Sequence, residues 1–459
     1  MAGPSLRRLS MAGRRAAILE RVSGGEELMR EALDASTLES LAELMVECPV
    51  GFFGVPLGVA TGFVIDGEAV DVPMATEEPS VVAAASHAAG LVAHAGGFTT
   101  GAEGNRVTAQ VWLEGVGVPG LARLSGGTSS GQPQAVFPVA GPASPDVLNH
   151  VDDKKYETGS PLSPDLFARV GQLVDAALPS LVRRGGGFDG ADMAAFREPA
   201  GLVRIQIHLR VCDAMGANLA NTAAEAAAPL LEEVSGGRAL ARILTNESEG
   251  RMATASFRLP VRLLRRAGIA GAEMARRIAV FSAVAAADRA RAVTHNKGVM
   301  NGVSALALAT GNDTRAIEAA VHAHAALTGR YLPLTVYRIE GETLVGEIRL
   351  PVPLGTASST GALHPGARLS LAILGAPSAA RLGRIAAALG LAQNLAAMAA
   401  LVAEGIQAGH MRLHARRTAY LAGARGDLID EVAGMISREG MVSLDAARRV
   451  IESLRRGEP

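Results

Sequence analysis

Only three of the chain's 44 basic residues are lysine, and one of them, Lys297, stands in the run Thr294-His295-Asn296-Lys297-Gly298. Asp313 follows sixteen residues later in Ala309-Thr310-Gly311-Asn312-Asp313. A compact ammonium paired with a carboxylate can hold charge on a carbonyl oxygen better than a planar guanidinium can. The polar, glycine-bounded run around Lys297 reads as a loop. A second acidic element is Glu77-Glu78-Pro79-Ser80. Two acids there complement the dipole of a following helix, which is the usual explanation for such a pair. His410 and His414 are spaced four apart, which puts two imidazoles on one helix face as in zinc sites. Met411 stands where the metalloprotease motif has its glutamate, and no third ligand is evident. His322 and His324 face different sides of a helix and read as structural.

Two segments bear on dinucleotide binding. Gly115-Val116-Gly117-Val118-Pro119-Gly120 satisfies a G-x-G-x-x-G pattern after a strand. However, Pro119 and the Ser/Gly stretch beyond it oppose a helix, and no acid occurs between Glu114 and Asp146, so it reads as a turn between strands. Asp213-Ala214-Met215-Gly216-Ala217-Asn218, with Asn221 beyond, is the better candidate. There an Asp cap, a glycine and two amides open a helix whose N-terminus suits a pyrophosphate, although a plain capped helix explains the same residues.

The elements that must position these groups alternate between helical and strand periods, which gives a mixed α and β protein. An Asp66-Gly67 turn predicts a hairpin over 62–72, and a helix is expected from Pro79 through the Ala-rich run to Leu91. Strands are expected at 109–113 and 202–209, with a helix over 164–184 between them, making a small α+β unit inserted in a larger one. Residues 125–145 are rich in Gly, Ser and Pro, and 152–160 is polar; both read as loop. An Ala-rich helix should follow Asp213 to about Glu233, with further helices through Ala290. A hairpin over 335–350 turns at Glu340-Gly341, and from Ala379 the pattern is almost wholly helical, with a break at 421–423.

A net charge of -1 provides no basic field for nucleic acid. Two cysteines exclude a disulfide scaffold and fit a reducing compartment, so the expected location is cytoplasmic. No uninterrupted apolar run of about 18 residues suggests a membrane span.

Read in order, Arg7 in Leu6-Arg7-Arg8-Leu9-Ser10, Glu77-Glu78-Pro79-Ser80, the Asp213 segment, Asn246, Arg291, the Lys297 and Asp313 segments, and Glu404-Gly405-Ile406-Gln407-Ala408-Gly409-His410-Met411 span nearly the whole chain. This collinear set resembles the 3-hydroxy-3-methylglutaryl-CoA reductases, specifically their soluble bacterial second class. The resemblance implies an α+β fold with a large substrate and CoA domain (1–106 and 213–378). A small ferredoxin-like cofactor domain is inserted at 107–212, and a C-terminal helical flap covers 379–459. It implies reduction of (S)-3-hydroxy-3-methylglutaryl-CoA to mevalonate and CoA with two NADH or NADPH per turnover and no metal, or the reverse oxidation, in a homodimer or dimer-based oligomer. Glu78 and the lysine then come in part from different subunits.

The implied catalytic residues are Glu78, Lys297 held by Asp313, and His410 as proton donor to the CoA thiolate. Arg7, Ser80, Asn246, Arg291, Asn301, Gln393 and His414 are implied for substrate, and Asp213, Met215, Gly216, Asn218 and Asn221 for the cofactor. Glu78 is expected to stay protonated through burial and a neighbouring Asp313. Cofactor choice in the family depends on residues before a glycine turn, here Gly185-Gly186-Gly187. Leu178 stands at the acid position of NADH-preferring members, with Asp175 nearby and Arg183-Arg184 closer to the turn, so the choice stays open. The sequence departs from the family at Glu47-Cys48-Pro49-Val50-Gly51, near the dimer contact, and over 355–361. A metal-dependent hydrolase using His410 and His414, and a catalytically silent CoA-ester-binding protein, are the competing readings.

Overall fold

The computed structural model describes residues 6, 9–126, 156–196, 201–357, 359–438 and 440–456. Arg7 and most of the Gly/Ser/Pro-rich insert lie outside the described residues.

Three short helices, α1 (Met11–Leu19), α2 (Gly25–Leu33) and α3 (Ala35–Met45), precede a hairpin of β1 (Leu57–Ile65) and β2 (Glu68–Ala75). The hairpin turns at Asp66-Gly67, where both residues take positive φ (52° and 84°) as a tight two-residue turn requires. Helix α4 (Val81–Ala93) then packs on β1. It starts two residues later than the expected Pro79. Ser80 is left-handed at φ 73°, and the buried Val81 is the first residue to fix the helix in the core. Glu78 therefore lies in the loop before the helix, and Ser80 is its N-cap. Strand β3 (Thr99–Glu103) follows.

The inserted unit comprises β4 (Arg106–Glu114), α5 (Val118–Ser125), β5 (Tyr156–Pro161), α6 (Pro164–Ala177), α7 (Pro179–Arg183), β6 (Gly187–Phe196), β7 (Leu202–Arg210), α8 (Ala217–Ser235) and β8 (Arg238–Leu244). Its sheet runs β5-β6-β7-β4-β8, with every pair antiparallel. Omitting the edge strand β5, the path β4-α6-β6-β7-α8-β8 is the split βαββαβ, ferredoxin-like arrangement. The single expected helix over 164–184 breaks at Leu178 (φ -122°), because Pro179 disfavours helical geometry in the residue before it.

Three expectations are corrected here. The boundary at 212 is too early: Ala220, Ala224, Ala227 and Leu231 of α8 share one core with Val111, Ile205 and Val170, and β8 completes the sheet. The region after α8 holds two strands instead of continuous helices. Residues 115–120, expected as a turn between strands, run into α5 from Val118, with Pro119 in its first turn, where a missing N–H costs nothing. A Cβ at Gly120 would lie 2.1 Å from the Ser235 carbonyl oxygen, so this glycine serves close helix packing.

The large unit continues with β9 (Met252–Pro260), α9 (Gly271–Ala287), α10 (Arg289–Ala309), α11 (Thr314–Ala325), β10 (Thr335–Glu340), β11 (Thr343–Pro351), α12 (Ser359–Leu363), α13 (Pro365–Ile373) and α14 (Ala379–Leu401). Its antiparallel sheet runs β10-β11-β9-β3. The expected lysine loop is in fact the middle of α10. Gly and Asn disfavour helix by propensity, yet Asn296 is fully buried and its amide bridges the Leu332 carbonyl (2.9 Å) and the Leu334 N–H (2.8 Å), so tertiary bonding overrides the local pattern.

Helix α14 belongs to the large core, packed through Leu382, Ile385, Leu389 and Leu395, and not to the flap. Among the described residues it is the helix long and apolar enough to cross a bilayer, but most of it is buried inside the protein. Only α15 (Ile406–Leu421), α16 (Leu428–Arg438) and α17 (Leu444–Arg456) form a separate C-terminal core, around Ala419, Val432, Ile436 and Ala447.

Beneath Lys297 runs a buried polar network. Asn394 of α14 donates to the His295 carbonyl (3.1 Å) and accepts from the Thr335 and Tyr337 hydroxyls (2.9 Å each). Thr335 Oγ1 in turn lies 2.5 Å from His295 Nε2. Burial, and then the nearby Arg291 charge, pull the His295 imidazole down to about 4. The unfolded chain binds a proton there near its ordinary value of about 6.5, so between these values the unfolded state holds more protons. Stability should therefore be full above about pH 6.5 and fall as pH drops toward 4, by on the order of 3 kcal/mol at about 1.4 kcal/mol per unit. Urea midpoints across that range check this, and His295→Gln should flatten the slope if the imidazole is its source.

Candidate functional site

The loop between β2 and α4 carries Glu78, and α10 packs against both β2 and α4. That packing brings Lys297 Nζ to 2.7 Å from Glu78 Oε2, across 219 positions of sequence. The contact is made within one chain, which corrects the expectation that the two come in part from different subunits. Thr76 Oγ1 accepts from the Glu78 N–H (3.1 Å) and fixes the loop. Lys297 keeps 61% of its side chain exposed and Glu78 35%, so both reach solvent or a ligand. The N-cap Ser80 makes no side-chain bond to the α4 N-terminus, leaving its first N–H groups available beside this pair.

Asp313 bonds other groups. Its carboxylate caps α11, accepting from the Arg315 and Ala316 N–H groups (3.0 and 3.2 Å), and pairs with the Arg315 guanidinium. Desolvation pushes its carboxyl upward, but those N–H groups and Arg315 together hold it below the usual range. The neighbour of Glu78 is thus the Lys297 ammonium, and neither the Asp313 grip on Lys297 nor the expected Glu78–Asp313 pair is formed. An Asp at the start of a helix satisfies orphan N–H groups, and that is the use Asp313 serves here.

Asn301 lies one helical turn beyond Lys297, on the same side of α10. Gln393 of α14 is buried against Gly302, and its Oε1 has no hydrogen-bond partner. Arg291 lies over the Phe281 ring at 4.7 Å, with its Nε buried and unpartnered. Burial pulls its guanidinium downward. An unpaired buried acceptor and an unpaired buried donor near the α10–α14 contact are groups that a polar ligand can satisfy. His410 lies in the first turns of α15, with its side chain outside the described residues. His414 is exposed, and its Nδ1 lies 3.1 Å from Thr418 Oγ1. Arg417 of the same helix reaches the Glu77 carbonyl (3.4 Å), so the C-terminal unit touches the acidic loop. No group of three metal-ligating side chains occurs among the described residues.

A cleft forms where the α8 N-terminus meets β4 and β8, lined by Thr108, Met215, Gly216, Ala217, Asn246 and Ser248. Gly216, not Asp213, is the N-cap, at φ 102° with no side-chain bond. A Cβ there would press on Val107 at 2.9 Å. The uncapped end of a 19-residue helix presents N–H donors into a cleft of hydroxyls and an amide, a donor set suited to a pyrophosphate.

Asp213 does other work. Its Oδ1 accepts from the Ala379 N–H (2.8 Å) and its carbonyl from Thr356 N (2.9 Å), joining α8 to α14 and to the 352–357 loop. Asn221 accepts from Leu244 N (2.9 Å) and ties α8 to β8, while Asn218 is exposed on the first turn.

Sequence reasoning missed Arg251. Its guanidinium binds the carbonyls of Ala214, Met215 and Leu354, and burial pulls it down to about 10 against the opposing charge of Asp213. Asn312 extends this link by accepting from Gly355 N (2.7 Å). Nothing in the pattern around a lone arginine in a polar loop signals such a role. Thr76, two residues before Glu78, was legible as a side-chain-to-backbone turn.

The family model described as hydroxymethylglutaryl-coenzyme A reductase matches residues 10–118 and 167–415. A 3-hydroxy-3-methylglutaryl-coenzyme A reductase of Archaeoglobus fulgidus is 39% identical, covering 98% of this chain and 94% of its own length. A probable reductase of the same name from Borreliella burgdorferi is 30% identical over 90% of this chain and 86% of its own. Among solved structures, the Streptococcus pneumoniae reductase superposes with a TM-score of 0.76 at 35% identity, covering 99% of this chain and all of that one. A class II structure from the same organism, bound to NADPH in open conformations, gives 0.74 at 35% identity over 97% of this chain and 100% of that one.

Proposed function

Because the chain belongs to the hydroxymethylglutaryl-coenzyme A reductase family, and is an oxidoreductase of that kind, we propose how its own residues divide the work of reducing (S)-3-hydroxy-3-methylglutaryl-CoA to mevalonate and CoA, or of the reverse. The observation that carries this reading is the Lys297–Glu78 bond at 2.7 Å, a charged donor and a carboxyl side by side at an accessible position. Lys297 holds the oxygen that gains charge in each reduction, and Glu78 delivers the proton that oxygen takes. His410, on a helix whose Arg417 touches the Glu77 carbonyl, protonates the departing CoA thiolate. Ser80 and the free α4 N-terminus, Asn301, Arg291, Gln393 and His414 orient the acyl portion, and Arg7 approaches the CoA phosphates.

The α8 N-terminus with Met215, Gly216, Asn218 and Asn246 holds the pyrophosphate of a nicotinamide dinucleotide, which supplies hydride when bound; Asp213 and Asn221 keep that helix in place. NADPH is the favoured form. Asp175 accepts from the Phe188 N–H (2.7 Å), Leu178 is buried, and Arg183 and Arg184 stand exposed before the glycine turn, so a 2'-phosphate meets positive charge there. The working unit is a homodimer: Leu44, Val46, Val50 and Phe53 expose apolar surface between α3 and β1. Its expected location is cytoplasmic.

Following nicotinamide absorbance with 3-hydroxy-3-methylglutaryl-CoA tests the whole reading. Oxidation is expected with both cofactors, with higher kcat/KM for NADPH. Absence of oxidation with either cofactor would refute the enzyme reading, and a preference for NADH would refute the assignment of Arg183 and Arg184.

A further inference from the structure

Three segments of chain wall the cleft at the α8 N-terminus: Met215, Gly216 and Ala217 at the start of α8, Asn246 and Ser248 in the loop after β8, and Pro353 in the loop after β11. Arg251 lies outside that lining, yet it bonds all three segments. Its N–H donates to the Ser248 carbonyl (3.1 Å), and its own carbonyl accepts from Val352 N (2.9 Å). Its guanidinium donates through Nη1 to the Ala214 and Met215 carbonyls (3.1 and 3.0 Å) and through Nη2 to the Leu354 carbonyl (2.6 Å). The residue is only 6% exposed.

Burying a charged guanidinium costs free energy that an apolar side chain in the same place would not. What the guanidinium adds is a rigid planar fork of donors, which fixes the directions of several carbonyls at once. In a trans peptide the C=O and the N–H that follows it point opposite ways. With the Ala214 and Met215 carbonyls turned toward Arg251, the N–H groups of Met215 and Gly216 are turned away from it, and both of these residues line the cleft. An anion at a helix N-terminus is bound by N–H groups held in a common direction. The loop after β11 is drawn in just as closely, since a Cβ at Gly355 would lie 2.3 Å from Met215 N.

We propose that Arg251 is a positioning residue for the nicotinamide dinucleotide: by fixing the Ala214 and Met215 carbonyls against the loops after β8 and β11, it sets the direction of the backbone donors that meet the pyrophosphate. The inference rests on reading the cleft as the cofactor site.

The test is direct binding of NADPH, followed by its fluorescence in the absence of any CoA ester, beside calorimetric binding of 3-hydroxy-3-methylglutaryl-CoA in the absence of nucleotide. Arg251→Lys keeps the charge but loses the fork, and should weaken NADPH binding by about 10-fold, close to the loss of one charge-assisted hydrogen bond. ADP-ribose competing with NADPH carries the same diphosphate and should lose affinity in step, while the CoA ester should bind as before. Equal weakening of NADPH and the CoA ester would overturn the proposal, because a general staple of the fold would do that. Unchanged NADPH affinity, or a loss that ADP-ribose does not share, would overturn it too. If Arg251→Lys does not fold, Gly355→Ala asks the same question with the arginine in place, since its methyl group must push the loop after β11 off the turn at Met215. The same split between NADPH and the CoA ester is expected there, and its absence would overturn the proposal. Ala217→Phe, which fills the cleft, separates the two levels of the argument. If it weakens NADPH binding while Arg251→Lys does not, the cleft is right and the Arg251 inference falls alone. If it leaves NADPH binding unchanged, the cofactor reading of the cleft falls and the inference with it.

Discussion

Replacing Lys297 with alanine should lower kcat by about 10²–10³, the usual cost of losing one charged contact to a developing oxyanion. Both reductions should suffer, because each places charge on an oxygen beside the same ammonium. The structure adds a reason why Lys297→Arg should rescue poorly. The ammonium sits 2.7 Å from Glu78 Oε2 in a single-point contact, and a planar guanidinium needs a wider, forked geometry to serve the carboxyl and a substrate oxygen together. Single-turnover rates for the thioester and for free mevaldehyde, measured in both variants, check this. Turnover near that of the unaltered protein in either variant would remove Lys297 from the chemistry and reduce its bond with Glu78 to a surface ion pair.

The second large effect separates Glu78 from His410. In Glu78→Gln the side-chain carbonyl can still accept from Lys297, so the local geometry survives while the transferable proton is lost. Reduction of added mevaldehyde should then drop by about 10²–10⁴, the range for general-acid catalysis. His410→Gln should leave that half-reaction largely intact, since free mevaldehyde expels no thiolate, and should slow CoA release from the thioester. The pattern is crossed, and a merely structural role for either residue would not produce it. Equal loss of mevaldehyde reduction in the two variants would end this division of labour and leave His410 as a positioning residue.

Much of the scaffold was legible in the chain because its determinants are local. The Asp66-Gly67 and Gly341 turns, the Ala-rich α8 and the strands β4 and β7 each follow from short patterns of turn residue and apolar period. The candidate residues Glu78, Lys297, Gly216 and His410 were likewise named from sequence, though only as types at positions. Tertiary packing decided what each of them touches. Lys297 was expected in a loop because Asn and Gly are poor helix formers, yet buried bonds from Asn296 to Leu332 and Leu334, and from Asn394 to the His295 carbonyl, hold that stretch as helix and aim it at Glu78. Asp213 was expected to cap α8, but a carboxylate bonds whichever N–H the fold brings near, and here that is Ala379, 166 positions away. Asp313 went to its own helix for the complementary reason: its nearest unsatisfied N–H groups are two and three residues on. Local pattern fixes which elements form, whereas register and helix packing, which depend on burial summed over the whole chain, fix which polar groups meet.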